Sequence, residues 1–104
     1  MQLVPLQPLP SQLISIILND QACVLKVYQK FFGLFIDMYV SEELIIGGVI
    51  CRDRNRIVRS DYLGFVGDFA FFDMLGNHDP EFSSLGNQFL LAYLNPDDLT
   101  ALGL

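Results

Sequence analysis

The chain of 104 residues has no tryptophan, one histidine and two cysteines. His78 alone cannot supply the several imidazoles that a two-metal centre draws on. Cys23 and Cys51 stand in separate apolar runs, without a second cysteine at metal-ligand spacing. They read as two buried, reduced thiols of a cytoplasmic protein. Positive charge is equally scarce. Six Lys and Arg face twelve Asp and Glu, for a net charge of −6 and a pI near 4.3. That balance argues against nucleic-acid binding through a basic face, while an acidic lining that repels nucleic acid stays compatible with it. No run approaches the ~18 uninterrupted apolar residues of a membrane span. No basic segment opens the chain, whose first cation is Lys26, so no secretory leader is expected. An amphipathic helix of ordinary length is missing as well.

What is present is apolar. Hydrophobic residues make up 52% of the chain and charged residues 17%, more apolar than an ordinary soluble domain. A domain this small leaves much of its surface in water, so part of that apolar content is expected at interfaces. Residues 1–12, MQLVPLQPLPSQ, hold Pro5, Pro8 and Pro10. Proline fixes φ and lacks a donor, which predicts an extended arm or edge. Its Leu3, Val4, Leu6 and Leu9 are candidates for packing along the domain edge or on a neighbouring chain. Residues 13–104 read as a single β domain. LISIIL (13–18) and ACVLKVYQ (22–29) flank the turn pair Asn19-Asp20 and predict a β-hairpin. LFIDMYV (34–40) alternates Phe35, Asp37 and Tyr39 against Leu34, Ile36, Met38 and Val40. LIIGGVICR (44–52) is a strand in which Gly47-Gly48 signals a bulge or bend. Shorter strands follow around 68–73 and at 88–94, and Asn95-Pro96-Asp97-Asp98 can cap one helical turn. Short strands at regular spacing with Gly and Asn turns predict an all-β barrel or sandwich with little helix.

The segment MLGNHDPE (74–81) raises the question of chemistry. Gly76-Asn77-His78-Asp79 resembles a metal-site block of the calcineurin-like metallophosphoesterases. That family also requires an Asp-x-His near its start, a Gly-Asp-x-x-Asp and two further histidines. Here Asp-x-His is absent, and Gly67-Asp68 has Phe71 where the second Asp belongs. The ordinary reading is a turn, because Gly76 and Asn77 tolerate φ > 0 and Asp79 precedes a proline. No serine sits in a nucleophile elbow. No catalytic residue, metal or cofactor is expected.

Arg52, Arg54, Arg56 and Arg59 hold four of the six cations. Three readings stay open for them: a solvated loop, docking on an acidic neighbour, or nucleic-acid contact, which the acidic total disfavours.

Taken in order, the segments resemble the baseplate plug family of contractile-tailed phages and prophages. The similar features are the opening VPLQPLPSQ, the hairpin ISIILNDQACVLKVYQ, the segment GLFIDMYVSEELIIGGV, and YLGFVGDFAFFDMLGNHDPEFSSLGNQFLLAYL, with its Leu-Gly turn, acidic loop and closing Leu-x-Tyr strand. Two positions depart from the family pattern: Leu34, where members often carry Trp, and Val40, where an acidic turn residue is usual. The resemblance implies a small tail-tube-like β domain on the tail axis of the virion baseplate, made in a bacterial host. It would serve as a plug or tube-initiating subunit joining tail tube and hub. It implies a homo-oligomeric ring of three or six copies, with hub, tube and tape-measure proteins as neighbours, and neither enzymatic activity nor specific nucleic-acid or membrane binding. The alternative reading is a β-sandwich ligand- or carbohydrate-recognition module. The missing Trp argues against it, and the clustered Phe residues (31, 32, 35, 65, 69, 71, 72) read better as core and interface.

Overall fold

The computed structural model describes residues 1–59 and 64–103. Ser60 to Leu63, and with them the first half of the Leu63-Gly64 turn, lie outside the described residues, as does Leu104.

Among the described residues, seven strands form two antiparallel sheets. The larger is a meander of β2 (Ser11–Leu18), β3 (Gln21–Lys30), β4 (Gly33–Val40) and β5 (Glu43–Ile50), in that order. The smaller has the order β1 (Gln2–Val4), β7 (Phe89–Leu94), β6 (Asp68–Asp73). The fold is all-β, as the strand spacing predicts. Among the described residues the two sheets do not join into one closed cylinder, so the sandwich is the better description. One short helix, α1 (Pro96–Ala101), follows β7. Asn95 accepts from the Asp98 amide, and the Asp98 side chain accepts from the Asn95 amide, which closes a capping box with Pro96 in the first turn.

The meander is built by local rules. Asn19 and Asp20 have φ of 51° and 62°, the left-handed pair required by a tight hairpin turn whose twist matches the strands. Register follows from there: Ile16 faces Cys23, Ile14 faces Leu25, and Gln12 faces Val27. One face of β3 therefore buries Cys23, Leu25 and Val27, and β4 adds Leu34, Ile36 and Met38. The Gly47-Gly48 irregularity occurs as expected. Ile36 pairs with Val49 but Met38 with Ile46, so β5 carries an extra residue there. Asp37 Oδ1 accepts from the freed Gly48 amide at 2.7 Å and from Tyr28 Oη at 2.8 Å.

The sheets share one core, in which Leu25, Val27, Ile36 and Met38 meet Phe69, Phe71, Leu91 and Tyr93. After β5 the chain crosses to the smaller sheet and runs along the outer edge of β6. Asp53 bridges Phe71, and the amides of Arg54 and Ile57 donate to Phe71 and Phe69. That segment covers an edge that would otherwise be open to pairing with another chain.

The predicted arm, residues 1–12, is extended, and its ends belong to the sheets. Gln2 to Val4 pair with Tyr93 to Leu91, while Ser11 and Gln12 already belong to β2. Val4 and Leu6 are buried in the chain's own core, so both are inaccessible to a partner in this fold; Leu3 and Leu9 stay exposed. Propensity could not separate these pairs. Which side of an edge strand faces the core depends on its register with β7.

Candidate functional site

The polar residues that looked like candidate chemistry hold loops in place. Asp68, at the start of β6, is fully buried. Its two oxygens accept from the amides of Ile57, Val58, Arg59 and Phe69 at 2.6–3.1 Å and from Arg56 Nε at 2.9 Å. One carboxylate thereby satisfies a run of donors that the non-strand segment 57–59 cannot pair with a ladder. The sequence offers no motif for this role. The only signal was an Asp entering an apolar strand just after a glycine.

Asp73 closes the other end of β6 and anchors the GNHD loop. Oδ1 accepts from the Leu75 amide and from Gln88 Nε2, and Oδ2 accepts from the His78 amide at 2.8 Å. His78 Nδ1 lies 2.9 Å from the same Oδ2, with the rest of the ring largely exposed. Burial pushes the Asp73 carboxyl up, but donors from His78, Leu75 and Gln88 outweigh it and hold the group well below the usual carboxylate range. Gly76-Asn77-His78-Asp79 is thus a turn folded around a carboxylate. Among the described residues, no group of three or more His, Cys, Asp or Glu is placed to hold a metal ion.

The Asp73 geometry has a consequence in acid. A group whose pKa is depressed on folding stabilises the fold above its unfolded value, and that contribution is lost as pH falls through the unfolded value toward the folded one. The unfolded value is near 3.8. Urea midpoints between pH 6 and pH 2.5 are expected to fall below pH ~4 in the parent and less steeply in Asp73→Asn. Parallel curves for the two proteins would show that Asp73 does not carry the acid limb.

The arginines divide. Arg52 pairs with Asp79 at 3.2 Å, both side chains about half exposed. Arg54 pairs with the nearly buried Asp53 at 2.6 Å and lies over the Phe72 ring at 5.9 Å. Arg56 pairs with Asp68 at 2.9 Å. Arg59 Nε donates to the Arg56 carbonyl at 2.6 Å. Three of the four thus meet carboxylates of their own chain, which keeps the 52–59 segment against β6 and the GNHD loop. The exposed pair Arg52–Asp79 contributes little to stability, about 0–1 kcal/mol. The thiols are placed as their apolar context predicts: Cys23 and Cys51 are buried and unpaired, and burial pushes the Cys51 thiol up to about 12.

The fold also leaves large apolar side chains exposed. Leu13 and Ile17 on β2 are about 70% exposed, and Leu3, Leu44, Met74 and Leu75 are also in water. Phe31 and Phe32 occupy the β3–β4 turn with 96% and 82% exposure, whereas Phe65, Phe69 and Phe71 are core. The Phe cluster therefore splits between core and surface. An available signal was the position of Phe-Phe between two strands, where turn residues such as Asn-Gly are the rule.

Comparison with known proteins fits the picture of a small β domain with apolar side chains at its surface. No curated protein matches the chain. A family model described as the cyanophage baseplate Pam3 plug gp18 matches residues 1–96. A match over so much of the chain makes this protein a member of that phage baseplate plug family.

Proposed function

We propose that the chain is a structural subunit of a contractile tail, acting as plug and tube initiator where tail tube and hub meet on the tail axis. Its neighbours would be further copies in a ring of three or six, the hub, the tube and the tape-measure protein. The observation that carries this reading, beyond the family match, is the amount of large apolar side chain left in water on several faces. A stable contact removes ~800 Å² from each partner, and the chain exposes 5986 Å² in all. Several neighbours can therefore be accommodated at once. The net charge of −6 suits a conduit that DNA passes without adsorbing. The arginine pairs support the same reading, because guanidinium groups engaged by their own chain's carboxylates offer less to phosphate.

The test is a cryo-EM map of tails carrying this chain, joined to a deletion. The expected result is density for the chain on the axis between tube and hub, with no assembled tubes in the deletion. Density at the baseplate periphery, or normal tails without the chain, would reject the role. The same reading includes the absence of catalysis. Purified protein with Mn²⁺ or Zn²⁺ is expected to hydrolyse no phosphoester above the blank, and metal-dependent turnover abolished by His78→Ala would contradict it.

A further inference from the structure

The four-stranded sheet has two unlike ends. At one end the β3–β4 hairpin presents Phe31 and Phe32, the two most exposed large hydrophobic side chains among the described residues, packed edge to face at 5.3 Å between ring centroids. Lys26 lies mid-strand, opposite Asp37 of β4 and two residues from Val24, so Lys30 is the lysine of this end. Lys30 directly precedes the tip, and the Nζ atoms of Lys26 and Lys30 lie 5.4 and 5.6 Å from the Tyr28 ring centroid. At the other end lie the β2–β3 turn, which holds Asp20, and the β4–β5 turn, which holds Glu42. Beside them lies an apolar groove of about 700 Å³, lined among others by Ile17, Ala22, Val24, Ser41 and Glu42.

Tip and groove cannot meet within one molecule. From the groove at Ala22–Val24 to the tip at Phe31 the chain runs seven to nine residues, which at about 3.3 Å per residue separates them by roughly 23–30 Å on a rigid sheet. An aromatic, basic knob at one end and an apolar, acid-rimmed socket at the other are the two halves of a head-to-tail contact between identical chains. The acid rim is also held at a conformational cost. Ser41 and Glu42 both adopt positive φ, 51° and 70°, where glycine or asparagine is the relaxed choice. A second copy is favoured over an unrelated partner because knob and socket complement each other in polarity and charge on a chain whose net charge otherwise makes copies repel.

We propose that the Phe31–Phe32 tip of one copy seats in the Ile17–Ala22–Val24 groove of a second copy, with Lys30 facing Glu42. This names the contact that would build the proposed ring and rests on that reading for its place in the particle. The contact itself is testable on isolated protein.

Phe31→Cys protein is mixed with Ala22→Cys protein and mildly oxidised, the native thiols being buried. The expected product is a disulfide-linked heterodimer, formed at least several-fold faster than either homodimer. Dominant Phe31→Cys homodimers would mean tip-to-tip contact, and dominant Ala22→Cys homodimers face-to-face contact; either overturns the proposal. Sedimentation equilibrium supplies a second measure that needs no cysteine. Lys30→Glu and Glu42→Lys are each expected to weaken self-association, and their mixture, in which both kinds of alternating junction carry an opposite-charge pair, to recover it. Phe32→Ala is expected to weaken it about tenfold or more, as truncation of a central aromatic anchor does. Failure of the heterodimer in isolated protein and in oxidised tails alike sinks the contact. Tails that hold the chain without the crosslink sink the contact and spare the plug role. Tails that lack the chain sink the plug role, while the crosslink in isolated protein still stands as a test of the contact.

Discussion

Asp68→Ala is expected to lose about 3–5 kcal/mol of folding stability, by the mechanism that makes a buried, hydrogen-bonded carboxylate hard to remove. The side chain is fully buried and gathers four main-chain amides and one guanidinium. Alanine removes every acceptor at once. The Ile57 amide keeps a second acceptor in the Phe69 carbonyl, and the partly exposed Arg56 can turn to water. The Val58 amide has no such alternative among the described contacts, and an orphaned buried donor costs about 1–3 kcal/mol. A domain of this size has roughly 5–15 kcal/mol in all, so the variant approaches the unfolding threshold at room temperature. Asp68→Asn keeps the volume and one acceptor oxygen and is expected to lose less. Urea denaturation followed by far-UV circular dichroism measures both, with Asp79→Ala as the exposed control. If Asp68→Ala costs no more than that control, the carboxylate is not what holds the 57–59 segment to β6.

Gly67→Ala is expected to be nearly as damaging for a different reason. Gly67 has φ of +98°, and a Cβ built there would lie 2.6 Å from the Leu94 carbonyl oxygen, 2.6 Å from Tyr93 Oη and 2.8 Å from Tyr93 Cε1. Backbone and a ring held in the core cannot move aside as a flexible side-chain end does. The same crowding would disturb the hydrogen bond that Tyr93 Oη donates to the Val66 carbonyl. Overpacking and left-handed strain together are expected to cost about 3–4 kcal/mol. Gly48→Ala isolates the second term. Its φ is +65° with no neighbouring atom within 4 Å of the added carbon, so about 1 kcal/mol is expected there. Equal urea midpoints for the two variants would show that the close approach at Gly67 relaxes freely.

Both positions sit in Gly67-Asp68, half of the pattern that resembles a phosphoesterase. The resemblance and the structural role have a common physical origin. A glycine permits a tight approach and an aspartate gathers donors, and a metal site and a loop anchor use the same two properties. Residue types alone therefore could not separate the two roles. Counting partners is what led the sequence reading to expect a turn, because the phosphoesterase pattern calls for further histidines and the chain has one.

The alternation of apolar and polar residues by itself determined the meander. Period-two patterning places Cys23, Leu25 and Val27 on one face and Leu34, Ile36 and Met38 against them, and Asn19-Asp20 sets the first register. The capping signal at Asn95 and the Gly47-Gly48 irregularity are equally local, since each depends on backbone geometry within a few residues or on the adjacent strand. Outside the meander, the tertiary structure alone decided which apolar residues are core. Val4 and Leu6 are buried while Leu3 and Leu9 are exposed, and nothing in their composition distinguishes them. It also decided the partners of the charges. Arg56 meets Asp68 and Arg52 meets Asp79 across 12 and 27 residues of chain, separations over which sequence pattern carries no geometric information. The physical reason is the range of the forces. Strand periodicity and turn preference act through neighbouring dihedrals, whereas burial and ion pairing depend on how two sheets and a crossing segment come together.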